Sequence, residues 1–135
     1  MYTFKEIAAL RQQCYEFSFD GREILDKYTN EELQAICNGI GPGFLPAFVR
    51  KGINFFNPAL QGAAFIHDVE FFESDSTREA FEAANARFLS NGIKAAWNFK
   101  WYDLRRWITL FQICRFTFLC RNFGWSSWSE NSAPL

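Results

Sequence analysis

Apolar residues recur at three- and four-residue steps from the start of the chain. In TFKEIAALRQQCYEF they fall at Phe4, Ile7, Leu10, Cys14 and Phe17, a spacing that predicts a helix with one buried stripe. SFDGRE breaks the pattern. Thr29 and Glu32 then stand in capping-box spacing ahead of LQAIC, predicting a short helix stopped by Gly39. FLPAFVRKGINFF, with Pro46 in its first turn, predicts another short helix. Asn57-Pro58 restarts the chain as ALQGAAFIHDVEFF, which ESDS closes. Ser76 or Thr77 can cap REAFEAANARFLSNGIKAAW, whose buried face is marked by Phe81, Phe88, Leu89, Ile93 and Trp97. From about Trp101 to Phe123 the chain is apolar and helix-compatible, and no strand-like alternation or internal repeat competes. The expectation is an all-α fold, one compact helical domain over 1–124 organised by two antiparallel core helices near 59–73 and 76–97. GWSSWSENSAPL predicts a flexible C-terminal tail over 125–135.

Composition sharpens this picture. At 135 residues the chain fits one domain with a genuine core. Hydrophobic residues make up 49% and aromatics 19%, with 17 Phe and 5 Trp, which argues against disorder and leaves room for an exposed apolar surface. A net charge of -1, with no basic phosphate-tracking face, gives no reason to expect nucleic acid. MYTFKEIAALRQQ lacks the unbroken apolar stretch of a secretory signal. The greasiest run, Trp107 to Cys120, contains Gln112 and Arg115 and is shorter than the roughly 20 apolar residues that span a bilayer. The expected location is therefore cytoplasmic at synthesis. Cys14, Cys37, Cys114 and Cys120 form no CxxC pair, so reduced thiols are expected rather than disulfides or a zinc site.

Two short stretches carry candidate chemistry. CNGIGPG places glycines at 39, 41 and 43, which lets the backbone offer carbonyl oxygens to a hard cation or N–H groups to an anion. It lacks the Gly-Lys-Ser/Thr of a P-loop, and Phe44 stands where the dinucleotide fingerprint needs glycine. A plain helix stop and turn is the competing reading. FIHDVEFF holds the only histidine of the chain. On a helix Leu60, Ala63, Ala64, His67 and Phe71 share one stripe, and Asp68 lies about 100° around from His67. A carboxylate on that side of a core helix needs a partner. Loop carbonyls together with a carboxylate form the oxygen-rich shell that calcium takes.

NGIGPG followed by HDVEF resembles the calcium loop and His-Asp helix of the phospholipase A2 superfamily, closest to its short, disulfide-poor viral, phage and bacterial forms. The motif stretch runs from about Cys37 to Phe88. The resemblance implies that His67 is the general base that deprotonates a water attacking a glycerophospholipid ester. It implies that Asp68 and the backbone carbonyls of Cys37, Gly39 and Gly41 bind Ca2+. The Gly39 N–H and the metal would stabilise the oxyanion. Asn85 falls where the family has the aspartate that orients the histidine, and Phe71 where it has a tyrosine. FLPAFVRKGINFFNPALQGAAF makes the spacing from Gly41 to His67 long for the family, and its Phe44, Phe48, Phe55 and Phe56 could line an acyl-chain slot or belong to the core. The function implied is a calcium-dependent, phospholipase A2-like lipid hydrolase of weak activity. The alternative is a noncatalytic interaction or lipid-binding module of phage or bacterial origin.

The C-terminal helix adds a partner expectation. Trp97, Trp101, Trp107, Trp125 and Trp128, with Arg105, Arg106, Arg115 and Arg121, are residue types suited to a membrane interface. The same helix could instead close the bundle or pair with a second copy in a homo-oligomer. The partners expected are a phospholipid or membrane surface and a second copy of the chain.

Overall fold

The structure, a computed structural model, describes residues 3–36, 58–125 and 128–129. It is all-α, and no strand occurs among the described residues. Helix α1 spans Phe4–Glu16 and opens on a capping box. The Thr3 hydroxyl accepts the Glu6 N–H at 3.2 Å, while the Thr3 N–H donates to Glu6 Oε2 at 3.1 Å. Ile7, Leu10 and Cys14 are buried as their stripe requires. Phe4 is half exposed, contrary to the pattern, because α1 meets the core helices from its later turns, through Gln13 and Cys14.

SFDGRE breaks the helix as expected, with positive φ at Ser18 (53°) and Gly21 (84°). A 3-10 helix follows over Arg22–Lys27, then α2 over Asn30–Ala35. Thr29 caps α2 by accepting the Glu32 N–H at 3.2 Å. Arg11 ties α1 to this segment, donating to Asn30 Oδ1 at 2.8 Å and to the carbonyls of Tyr28 and Leu25. The expected helix from Phe44 to Phe56 lies outside the described residues.

A 3-10 turn over Pro58–Leu60 leads into α3, Gln61–Phe72, which is followed by α4, Arg78–Trp97, and α5, Leu104–Phe123. The two expected core helices are α3 and α4. Phe71 meets Phe81 near their connection and His67 meets Phe88 further along, so the pair is antiparallel. Thr77, not Ser76, caps α4 by accepting the Ala80 N–H at 3.2 Å. Asp103 caps α5, placing its start three residues beyond Trp101.

The buried face of α4 differs from the expected one. Phe81 and Phe88 are buried, but they are joined by Ala84, Asn85, Asn91, Gly92, Ala95 and Ala96. Trp97 is instead exposed, with the Arg106 guanidinium 3.6 Å from the centre of its ring. Small residues take the inward positions because α5 packs very close there. A Cβ built on Gly92 would sit 2.0 Å from Ile113 Cγ1. Gly62 makes the matching approach to α1, where a Cβ would stand 2.7 Å from Gln13 Oε1 and 2.9 Å from Phe19.

The expected tail does not begin at residue 125. Trp125 packs edge-on to Phe81 at 5.3 Å, and Trp128 is buried against Phe71 and Phe81. Trp128 Nε1–H donates to the Thr77 carbonyl at 3.0 Å, and the Ser74 hydroxyl donates to the Trp128 carbonyl at 2.6 Å. A tryptophan buries roughly 150–250 Å², and a satisfied indole N–H removes the cost of that burial. Cys14, Cys114 and Cys120 are free thiols, and no helix among the described residues is long and apolar enough to cross a membrane.

Gly92→Ala should therefore lower unfolding free energy by about 2–3 kcal/mol through overpacking against Ile113. Denaturant unfolding of Gly92→Ala, Ile113→Ala and the double variant checks this. The double variant should lose less than the sum of the singles, since Ile113→Ala removes the two nearest clashing atoms.

Candidate functional site

Helix α3 is buried on every side from Gly62 to Phe71. Its polar side chains therefore depend on protein partners rather than on water. His67 lies mid-helix, and its Nε2 is 2.8 Å from Asn85 Oδ1 on α4. The expected meeting of His67 and Asn85 is thus present. The imidazole is flanked by Phe88, stacked at 4.6 Å between ring centroids, and by Phe71, tilted at the same separation. Phe71 in turn packs against Phe81 and Trp128. A tyrosine at 71 would need a hydroxyl partner in this aromatic wall, whereas phenylalanine fits it with apolar contact alone.

With the Asn85 carbonyl oxygen as acceptor, Nε2 carries the proton and Nδ1 carries the lone pair. Nδ1 is buried and has no hydrogen-bond partner among the described residues, and neither has Asn85 Nδ2. Burial holds the His67 pKa down at about 4; the Asn85 bond opposes this and the Arg87 charge adds to it. The ring is neutral at pH 7. Turning the Asn85 amide over would present an N–H to Nε2 and reverse the tautomer, a freedom that a carboxylate does not have.

Asp68 follows His67 and is nearly buried. It stands close enough to Cys120 on α5 for its negative charge to help raise that thiol to about 12, second to burial itself. Of the residues expected to bind calcium, Asp68 alone is described; Cys37, Gly39 and Gly41 lie outside the described residues, as does the Gly39 oxyanion donor. Phe44, Phe48, Phe55 and Phe56 lie outside them too. Among the described residues no group of three or more His, Cys, Asp or Glu gathers for a metal. Asp68 suits a hard cation as an anionic oxygen donor, and the remaining ligands of the expected shell are backbone carbonyls.

The buried Glu70 pairs with Arg87, whose side chain is partly exposed, an ion pair that sequence reasoning missed. Burial raises the Glu70 pKa to about 7, with Arg87 pulling the other way. The DG turn closes over this pair. At Gly21 (φ 84°) a Cβ would stand 3.1 Å from Glu70 Oε1 and 3.3 Å from Arg87 Cδ. Asn91 fixes the turn, accepting the Asp20 N–H at 2.7 Å and donating to the Asp20 carbonyl at 2.9 Å. The Asp20 carboxylate also takes Lys94 and Ser90. The available signal was Glu70 three residues after His67 in an apolar helix, with Arg87 two residues beyond Asn85.

Chemically, the site is a neutral imidazole whose Nε2 is held and whose Nδ1 can accept a proton inside an aromatic enclosure, with a carboxylate on the next residue. No protein-family model, curated protein or solved structure matches the chain.

The depressed histidine pKa has a stability consequence. Between pH 6.5 and about 4 the unfolded chain takes a proton at His67 that the native state refuses, so stability falls as pH falls through that window. The full effect is on the order of 3 kcal/mol. Glu70 acts in the opposite sense. Its raised pKa lets the native state hold a proton from pH 4.5 to about 7, so its contribution falls as pH rises. Urea unfolding of the parent and of His67→Gln across pH 4 to 7 separates the two. The difference between the curves should grow by about 3 kcal/mol in the parent's favour toward pH 7, and a flat difference would refute the assignment.

Proposed function

We propose that this chain is a phospholipase A2-like, calcium-dependent hydrolase of glycerophospholipid esters with slow turnover. The observation that carries the reading is the 2.8 Å contact between His67 Nε2 and Asn85 Oδ1, which leaves Nδ1 as the proton acceptor. In this reading Nδ1 takes a proton from water as the water oxygen attacks the ester carbonyl carbon. The Asn85 carbonyl holds Nε2–H meanwhile. The imidazolium then returns its proton to the departing glycerol oxygen, giving a fatty acid and a lysophospholipid. Asp68, with the carbonyls of Cys37, Gly39 and Gly41, would hold Ca2+, which supplies positive charge to the developing oxyanion.

Two features favour slow turnover. A base with a pKa of about 4 has little drive to take a proton at neutral pH. Asn85 stabilises an imidazolium far less than a carboxylate does; the corresponding Asp-to-Asn change in the serine-protease triad lowers kcat about 10⁴-fold. The second reading, a noncatalytic lipid-binding or interaction module, is favoured by one observation: His67 is 1% exposed, between Phe71 and Phe88.

Calcium binding and turnover are tested separately. Millimolar calcium should raise the melting temperature of the parent by at least about 3 °C through mass action on the native state, and Asp68→Asn should remove that rise. An unchanged melting curve in the parent would count against the calcium site.

For turnover, Asn85→Asp supplies the missing carboxylate and Phe71→Tyr offers it a donor. The double variant should release fatty acid from phospholipid vesicles at least about tenfold faster than the parent, in a calcium-dependent way. His67→Ala should abolish the gain. A folded, calcium-binding double variant no faster than the parent would leave the noncatalytic reading in possession.

A further inference from the structure

Helix α5 is apolar on both sides. Its inner side buries Thr109, Ile113, Phe116, Thr117 and Cys120. Its outer side exposes Leu104 (70%), Trp107, Ile108, Phe111 (67%) and Phe118 (63%), with Trp101 (71%) in the turn before it. Thr109 and Thr117 face inward while Phe111 and Phe118 face water, so core packing does not account for the outer stripe. From Leu104 to Phe118 the stripe runs about 21 Å along the helix.

Charge is distributed unevenly to match. Residues 98–125 hold Lys100, Arg105, Arg106, Arg115 and Arg121 against Asp103 alone, five minus one, or +4. The rest of the chain carries -1 minus 4, or -5. Asp103 is engaged as the α5 cap and by Arg105 at 2.6 Å. At the far end of the stripe, Phe118 also lines a cleft of about 330 Å³ shared with Arg78, Arg121, Asn122 and Glu82. Arg78 reaches Glu82 at 3.6 Å. Two guanidinium groups thus border an opening that continues from the aromatic face, the geometry a headgroup phosphate would use.

We infer that the outer face of α5 is a docking surface for an anionic phospholipid bilayer. Tryptophan, phenylalanine and leucine flanked by arginine, with almost no acid, match the boundary between acyl chains and negatively charged headgroups. Charge selects this occupant over a second copy of the chain. A two-fold contact through the same stripe would set two faces of net positive charge, each bearing the exposed Arg115, against one another, whereas an anionic surface neutralises that charge. The docking does not require turnover at His67 and goes beyond the proposed hydrolysis.

The test is flotation of the full chain with vesicles of ether-linked phosphatidylcholine, with or without about 30% ether-linked phosphatidylserine. These lipids have no carboxylic ester linking their chains to glycerol, so binding is read apart from hydrolysis. Each arginine near an anionic surface is worth about fivefold in affinity, so phosphatidylserine vesicles should bind at least about tenfold tighter at 0.1 M salt and weaken as salt rises. Phe111→Ser/Phe118→Ser and Arg115→Glu/Arg121→Glu alter exposed side chains, and circular dichroism melting verifies their fold. Each pair should lower binding at least about tenfold. Absence of binding by the parent, or equal binding by both folded variants, overturns the inference. So does a stable dimer in sedimentation that the Phe111→Ser/Phe118→Ser pair dissolves and vesicles do not compete.

Discussion

A helix buried on every side constrains everything around it. From Gly62 to Phe71, α3 has no face left for water, yet it carries His67, Asp68 and Glu70. Each such group costs free energy unless a neighbour satisfies it. Much of the architecture follows from where those neighbours must be. Asn85 and Arg87 are both on α4, so both polar contacts run between α3 and α4, alongside the phenylalanine contacts. The outer turn is placed by the same helices: Gly21 closes over the Glu70–Arg87 pair, and Asp20 is held by Asn91 on α4.

Glycine makes the remaining layers fit. Gly62 brings α1 against α3 closely enough for its carbonyl to accept from Cys14 Sγ at 3.4 Å and its N–H to donate to Gln13 Oε1 at 3.1 Å. Gly92 lets Ile113 enter the surface of α4. Where these backbones approach, larger residues would push the layers apart. This is why the α4 interface with α5 is built from Gly92, Ala95 and Ala96, and why Ile93 and Trp97 lie beside it.

The aromatic wall at His67 connects the site to the end of the chain. Phe71 touches the imidazole and Trp128, and Trp128 is fixed by Thr77 and Ser74 at the connection between α3 and α4. The residues that enclose the candidate base are therefore held by a segment that follows α5. Apolar enclosure lowers the histidine pKa, and the same enclosure favours Phe71 over a tyrosine with a hydroxyl to satisfy. The chemical character of the site and the packing of the C-terminal segment have one cause.

By itself the sequence determined, among the described residues, the helices α1 to α5, their order and the facing of His67 and Asn85. Those features depend on local chemistry: three- and four-residue apolar periodicity, Thr29 and Thr77 as caps, and a connection short enough to make α3 and α4 antiparallel. It did not determine the burial of Trp128, the Glu70–Arg87 pair, or the outward placement of Phe4 and Trp97. Tail-like composition says nothing about whether a distant Phe71 offers an indole a place to pack. An acidic residue and a basic one 17 positions apart become partners only when two helices settle at a particular separation. That separation was decided by the tertiary structure, because the side-chain volumes at Gly62 and Gly92 matter only against Phe19 and Ile113, residues remote in sequence.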